Sequence, residues 1–436
     1  MMKKIYYMLF LLLTGVCFNA CVSEEEDLFD KSAAERMNEA IANYKAILQD
    51  APNGWVMEFY PSDRSMGGYV YTAKFDNGKV DMASEVSLSS NSGESWPAGT
   101  VVSSQYRVIS EQSVILTFDT YNLLFHFFSE PKGSSDTDGY ASDYEFIFME
   151  SSADRLVLRG KKYGNTLVMT KLTESADSYI QKILDMQEKM DAVPRMKMIV
   201  SGKEYMVNMA GKLLSYTETK EDSSVENVEM SFIYTPDGIN LYEPLTIDGV
   251  TFQRFVYDDA TGVVKAVDAD VTFPYPTALE QFCGTTTRWY FSFDINTVKG
   301  EMNQELMDIF KNSYDANLEI MNEHFVGWYL GANPGYPARD SNPHCMGWES
   351  NWLGIVDFQL CYSYNLSVID EATKKVEIKS IAPGGNYEYY EYLDPVVEYV
   401  DKYSPYIVTF DDERLPKTAK MVSTVDDSVW FSVSKQ

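Results

Sequence analysis

Apolar residues recur along this chain with two periods, one typical of helices and one typical of strands. Near the start of the folded chain they lie three or four positions apart, as they do along one face of a helix. These positions are Met37, Ile41, Tyr44 and Leu48. The preceding segment Ser32–Glu35 has the sequence of a capping box, which marks a helix start. The same spacing predicts three more helices, at about 176–192, 302–325 and 390–401.

Between these helices apolar and polar residues alternate, which is the pattern of strands. The alternating residues Tyr69, Tyr71 and Phe75 lead into Asp76-Asn77-Gly78, a strong hairpin signal. Further strands are predicted at 114–118, 121–128, 144–148, 156–158, 167–172 and 228–241. Many short strands with regular turns predict an α+β fold class: β-rich meander modules, sandwiches or barrels, each preceded by an amphipathic helix.

The chain of 436 residues is longer than one hydrophobic core usually supports, so several modules are expected. A helix followed by Gly-Trp and a strand occurs twice, at Gly54-Trp55 and Gly327-Trp328. Whether this repeat records a duplication stays open. The predicted segments are a leader at 1–20, an acidic tether at 21–30, and modules at 31–173, 174–300 and 301–436.

The N-terminal residues have the pattern of a bacterial lipoprotein signal. Lys3 and Lys4 precede an apolar run that ends at Val16, and a small residue stands just before Cys21. The run holds about twelve residues, whereas a membrane-spanning helix needs about 20. We therefore expect cleavage before Cys21 and lipidation of its side chain, with no further membrane segment downstream.

The residues after Cys21 point to the destination of the protein. The acidic run Val22–Asp27 resembles the surface-export tag of Bacteroidetes lipoproteins. This resemblance implies a protein that is lipid-anchored in the outer membrane and exposed at the cell surface.

Charge and composition restrict the partners. The formal net charge of −29 disfavours nucleic acid and anionic membranes, because phosphate binding requires lysine and arginine. A neutral or cationic ligand fits this charge, although the need for solubility explains it equally well. The 31 tyrosines fit half-buried strands, and they also fit sugar-contacting surfaces.

The cysteines allow at most one disulfide in the mature chain. Of the five cysteines, Cys17 lies in the leader and Cys21 is the predicted lipid carrier. Cys283, Cys345 and Cys361 remain, and the last two are closest in sequence. Whether they are bonded stays open.

The segment from Gly331 to Trp352 is the candidate ligand-binding region. Glycines and prolines crowd its first half, which predicts one long irregular loop, and such loops are often functional. Tyr336, Trp348 and Trp352 are the candidate ligand-binding residues, because their flat apolar faces can stack on sugar rings. The alternative is that these aromatic residues pack the loop onto the domain core.

Catalytic and metal chemistry find little support. The three histidines, His126, His324 and His344, form no metal-binding motif, and His126 is expected as a packed or edge residue of a strand. Asp136–Gly139 resembles the opening of a calcium loop but lacks the later ligands. A carboxylate pair for glycoside hydrolysis can be neither chosen nor excluded among 65 acidic residues. No catalytic residue, metal ligand or cofactor is assigned.

Several features resemble a family of Bacteroidetes lipoproteins that is classed as a domain of unknown function. They are the helix at 29–48, Asn53-Gly54-Trp55, Tyr60-Pro61, the strand from Gly68 to Phe75, and Leu156–Leu172. Such families are often encoded beside the TonB-dependent transporter of starch-utilisation-type uptake systems. The resemblance therefore implies a role in handling a nutrient, but it supplies no catalytic residues.

The leading hypothesis is a cell-surface, non-catalytic accessory protein that binds a glycan, a peptide or another nutrient at the outer membrane. Two alternatives stay open. The chain could dock on an outer-membrane transporter complex without touching a ligand, or it could be a hydrolase that uses a carboxylate pair.

Overall fold

The computed structural model describes twelve stretches of the chain. They are residues 31–62, 66–89, 95–131, 135–193, 195, 197–219, 225–285, 287–292, 302–332, 342–352, 355–384 and 387–435. The leader, Cys21 and the acidic run lie outside them, so lipidation and surface export stay predictions. Within the described stretches no helix combines the length and the apolar character that a membrane span requires.

The described residues include three long helices and three shorter ones. They are α1 (Ala33–Gln49), α2 (Leu123–His126), α3 (Ala176–Asp191), α4 (Ala278–Phe282), α5 (Gln304–Met321) and α6 (Asp394–Lys402). The capping box before α1 is confirmed: Ser32 Oγ accepts a hydrogen bond from the Glu35 amide at 3.3 Å, and the Glu35 carboxylate accepts one from the Ser32 amide at 2.9 Å. Asn322 ends α5 in a left-handed conformation, with φ of 56°.

The first group of strands closes into an eight-stranded barrel. Its strands are β1 (Trp55–Phe59), β2 (Tyr69–Asp76), β3 (Lys79–Ser84), β6 (Val102–Ser110), β7 (Val114–Phe118), β8 (Glu145–Ser151), β9 (Arg155–Gly160) and β10 (Thr166–Lys171). They pair in the order β1-β10-β9-β8-β7-β6-β3-β2. The short strands β4 (Leu88–Ser89) and β5 (Ser95–Trp96) form a separate two-stranded sheet.

The second barrel is a simple meander in sequence order. Its strands are β11 (Lys197–Val200), β12 (Lys203–Ala210), β13 (Leu213–Thr219), β14 (Val225–Thr235), β15 (Gly238–Ile247), β16 (Val250–Tyr257), β17 (Val264–Ala266) and β18 (Val271–Phe273).

The third barrel is likewise a meander in sequence order. Its strands are β19 (Arg288–Ser292), β20 (His324–Ala332), β21 (His344–Trp352), β22 (Ile355–Asp370), β23 (Lys375–Pro383), β24 (Tyr406–Phe410), β25 (Thr418–Ser423) and β26 (Trp430–Lys435). Its core holds inward-facing residues of the strands together with residues of α5 and α6.

By packing, the chain divides into two compact units. The first runs to Met186 and adds Gly211–Leu213 and Met230–Glu243. The second contains Gln187–Ala210, Leu214–Glu229 and Pro244–Gln436. The first barrel lies in the first unit and the third barrel in the second unit. The module boundaries at 173/174 and 300/301 stay predictions.

The β-rich α+β class is confirmed, whereas a helix before every barrel is not. In chain order, helix α5 follows the first strand of the third barrel, β19, and precedes the second strand, β20. Strand β19 also precedes the predicted boundary at residue 301. The predicted strand over 121–128 is wrong. The Asn122 side chain accepts a hydrogen bond from the Leu124 amide and starts helix α2, because an asparagine cap satisfies the first helical donors.

Candidate functional site

An open, polar depression on the outside of the first barrel is a candidate ligand site. Its volume is about 590 Å³, within the range usual for small-ligand sites. It is lined by Asn77, Gly78, Lys79, Ser103, Ser104, Gln105, Tyr106, Arg107, Asp119 and Thr120. We call it the β3–β6 depression.

Local sequence explains how these residues come together. Asn77 and Gly78 both adopt positive φ, 45° and 85°, which makes the tight turn from β2 to β3. Strand β3 then pairs with β6, and Lys79 lies opposite Gln105. Alternation along β6 turns Ser103, Gln105 and Arg107 outward, while Tyr106 faces the core.

The charged groups of the depression and its rim are arranged as pairs. Arg107 binds Asp119 through two contacts, of which Nη2 to Oδ1 is 2.9 Å. Lys79 Nζ lies 2.9 Å from Oδ1 of Asp81, and Ser103 Oγ donates to the same carboxylate. The depression therefore offers hydrogen-bonding groups without a net charge.

Neighbouring groups stabilise the charged forms of Asp81 and Arg107 further. The hydrogen bond from Ser103, followed by that from Lys79, holds the pKa of Asp81 below its ordinary value. The hydrogen bond to Asp119 and the charge of that carboxylate raise the pKa of Arg107. The arrangement suits a neutral polar ligand, because each charged group already has a partner.

The candidate aromatic residue Trp348 lies elsewhere and is not accessible. It faces the core of the third barrel from β21, is 1% exposed, and its ring centroid lies 6.0 Å from that of Tyr387. A ring buried in this way cannot stack on a sugar at the surface, so the core-packing alternative describes it.

The prediction of a single irregular loop from 331 to 352 is wrong for its second half. Residues His344–Trp352 form β21, which pairs with both β20 and β22. Trp352 pairs with Ile355 through its backbone, and its side chain lies outside the described part of the chain. Tyr336 lies outside it as well, so both stay predictions.

The histidines lie at three separate places. His126 belongs to α2 and stacks on Tyr144 at 5.2 Å, so it is a packed residue, although of a helix. His324 contacts the Tyr314 hydroxyl at 2.9 Å, and His344 Nε2 lies 3.0 Å from the Cys283 carbonyl oxygen. Among the described side chains, no group of three or more histidine, cysteine, aspartate or glutamate residues could hold a metal ion.

Sequence reasoning singled out the pair Cys345 and Cys361 but missed the buried cluster that surrounds it on the outer face of the third barrel. It consists of Tyr290, Tyr329, Cys345 and Cys361, and we call it the Tyr329 cluster. Arg288 lies over the Tyr329 ring at 5.0 Å from its centroid. Alternation could have found part of it, since Cys345 is three residues from inward-facing Trp348 and must face the opposite side of β21.

Comparison with solved structures gives weak likenesses to DNA sliding clamps. A DNA polymerase sliding clamp from Caulobacter crescentus is 9% identical, with 91% of this chain and 97% of that chain covered and a TM-score of 0.12. The DNA polymerase III beta subunit from Thermotoga maritima is 10% identical, with coverage of 91% and 97% and a TM-score of 0.09. Scores this low support no inference about fold or function.

No curated protein matches the chain. A protein-family model does match: residues 25–259 fit a domain of unknown function, DUF4302. These residues include the first barrel and the β3–β6 depression. The chain therefore belongs to the DUF4302 family.

Proposed function

We propose that this chain is a bacterial cell-surface lipoprotein, anchored in the outer membrane through Cys21, that binds a neutral glycan or another polar nutrient without chemically changing it. It would serve a TonB-dependent uptake system of the starch-utilisation type. The β3–β6 depression is the observation that carries the binding role. The anchor and the uptake system rest on the leader sequence and on the resemblance to Bacteroidetes lipoproteins.

The chemistry of the depression favours a neutral ligand. Sugar hydroxyls need neighbouring donors and acceptors, and the lining supplies them through the exposed side chains of Asn77, Gln105 and Thr120. An anionic ligand would meet the field of a chain with net charge −29, while the cations of the depression are already paired.

The same lining argues against the hydrolase alternative at this site. A carboxylate-pair hydrolase needs two carboxyl groups roughly 5 to 9 Å apart. Among the described lining residues Asp119 is the one carboxylate, and Arg107 already engages both of its oxygens. The rim carboxylate Asp81 is likewise paired, with Lys79 and Ser103. Binding is therefore the better supported role.

A glycan and peptide panel tests the proposal. The wild-type chain would be compared with the double variant Lys79→Ala/Gln105→Ala, which removes two exposed lining side chains. We expect a specific hit whose affinity falls at least about tenfold in the double variant. The matched control is Lys162→Ala on the same barrel, which removes another exposed lysine in an ion pair, at 3.0 Å from Asp138.

Three outcomes would contradict the proposal. One is a hit whose affinity the double variant leaves unchanged, since the ligand would then bind elsewhere. Another is no binding on the panel together with co-isolation of a transporter, which would support the docking alternative. The third is turnover of a bound polymer, which would support a hydrolase.

A further inference from the structure

Two cysteines of the third barrel meet across neighbouring strands. Cys345 on β21 lies opposite Ser363, and Cys361 on β22 lies opposite Gly347. They are therefore diagonal neighbours on one face of the sheet, a relation in which side chains can reach each other. Their Sγ atoms are in direct contact, at 2.6 Å.

The surroundings hold the two sulfur atoms in place. Cys345 is 0% exposed and Cys361 is 1% exposed. The Tyr329 hydroxyl lies 3.8 Å from each sulfur. Gly347 leaves room for this phenol, because a Cβ at position 347 would lie 1.9 Å from Tyr329 Cζ.

The third described cysteine is separate from this pair. Cys283 follows α4, and its side chain packs against the inner core of the barrel. The backbone carbonyl of Cys283 contacts His344. The Tyr329 cluster, in contrast, lies on the outer face of the strands, so Cys283 is not a competing partner.

We propose that Cys345 and Cys361 form an intrachain disulfide that fastens β21 to β22. The two thiols lose two protons and two electrons, and a bond forms between their sulfur atoms. A disulfide of the glutathione or oxidoreductase class accepts the electrons and protons and becomes two thiols. An exported protein meets such oxidants, because disulfides form and persist outside the cytoplasm.

The bond forms before the sheet is covered. In the folded barrel the neighbouring thiol of Cys361, followed by burial, raises the pKa of Cys345, and so the reactive thiolate is scarce. Exchange with an external disulfide is consequently slow once the barrel has closed. The same burial protects the finished bond from reductants.

Differential alkylation tests the proposal on the full chain. The chain is unfolded and reduced, then refolded with oxidised and reduced glutathione. Free thiols are blocked with N-ethylmaleimide in denaturant, and after reduction the remaining thiols are labelled with iodoacetamide. Trypsin leaves both cysteines on one peptide, Asp340–Lys374, and cleavage after Glu349 then separates them. The peptide readout also distinguishes them from Cys17 and Cys21.

We expect iodoacetamide on Cys345 and Cys361 and N-ethylmaleimide on Cys283. Without reduction, the two fragments produced by cleavage after Glu349 should stay linked. The variant Cys345→Ser should expose Cys361 to N-ethylmaleimide, whereas the control Cys283→Ser should leave the bond intact. N-ethylmaleimide on both cysteines of the refolded wild type, or a bond from either one to Cys283, would overturn the proposal.

Discussion

The first and third barrels have the same strand number but use their outer faces differently. On the first barrel, β3 and β6 present an open polar depression with paired charges. On the third barrel, β19 to β22 present a buried cluster of two tyrosines and two cysteines. In both barrels the inward-facing side chains form the core. The outer face is therefore free to take another role, the proposed ligand site in one case and the proposed cross-strand disulfide in the other.

The two Gly-Trp segments extend this comparison. Trp55 and Trp328 both face a barrel core and both are fully buried. Their glycines differ, because Gly54 has φ of 88° and a Cβ there would lie 2.7 Å from the Ala73 carbonyl oxygen. At Gly327 the nearest atom would be 3.6 Å away. The two segments thus share a tryptophan position without sharing a backbone requirement, and duplication stays open.

The largest loss of stability is expected for the variant Trp348→Ala. Removing this buried ring should lower the free energy of unfolding by about 3–5 kcal/mol, because a cavity replaces it in the third barrel. Chemical denaturation measures the loss, and Tyr389→Ala, at an exposed ring, serves as the control. Unchanged stability in Trp348→Ala would show that this ring does not belong to the core.

The comparison of Gly54 with Gly327 predicts the next largest change in stability. Gly54→Ala should cost about 2 kcal/mol, since alanine must adopt a left-handed conformation against a carbonyl oxygen. Gly327→Ala, within a strand and with ordinary contact distances, should change stability by less than about 1 kcal/mol. Equal losses of unfolding free energy in the two variants would contradict the difference between the two glycine positions.

The comparison of Trp55 with Trp328 predicts a smaller difference in stability. Trp55 Nε1 donates to the Leu48 carbonyl oxygen at 2.9 Å, whereas Trp328 Nε1 has no hydrogen-bond partner among the described residues. Trp55→Phe should therefore cost about 1 kcal/mol more than Trp328→Phe, the usual contribution of one hydrogen bond. Denaturation of the two variants under the same conditions measures this difference, and a larger loss in Trp328→Phe would contradict it.

The smallest effect concerns pH. The pKa of Asp81 lies below its ordinary value of 3.8 because Ser103 and Lys79 stabilise the carboxylate. A lowered pKa means that this stabilisation is present above the ordinary value and is lost as pH falls through the lowered one. Ligand affinity should consequently stay level from pH 7 to about 4, as checked by titration at each pH. A fall that begins near pH 6 would point to a group other than Asp81.

Local signals predicted much of the scaffold. Three of these signals depend on residues that are close in sequence, and the structure confirms each of them. They are the capping box at Ser32, the turn at Asn77-Gly78 and the helical spacing of apolar residues in α3. At α2 a local signal was present but overlooked. The asparagine cap at Asn122 starts a helix there, although the apolar run that follows it suggested a strand.

The candidate site could not be predicted in the same way. The β3–β6 depression joins the β2–β3 turn, strand β6 and the residues after β7, which are distant in sequence and meet only through barrel pairing. The burial of Trp348 likewise depends on β21 pairing with β20 and β22. Sequence alone shows an aromatic residue near glycines and prolines, and that context suggests an exposed loop.

Hydrogen–deuterium exchange, measured with and without a glycan identified on the panel, would test most directly whether the ligand binds the first barrel or the third. We expect the ligand to slow backbone exchange in peptides of β3, β6 and residues 119–120, and to leave 344–352 unchanged. The control Lys162→Ala should show the same protection, and Lys79→Ala/Gln105→Ala should lose it. Protection at 333–352 with none on the first barrel would contradict the assignment and return the site to the segment of Tyr336 and Trp352.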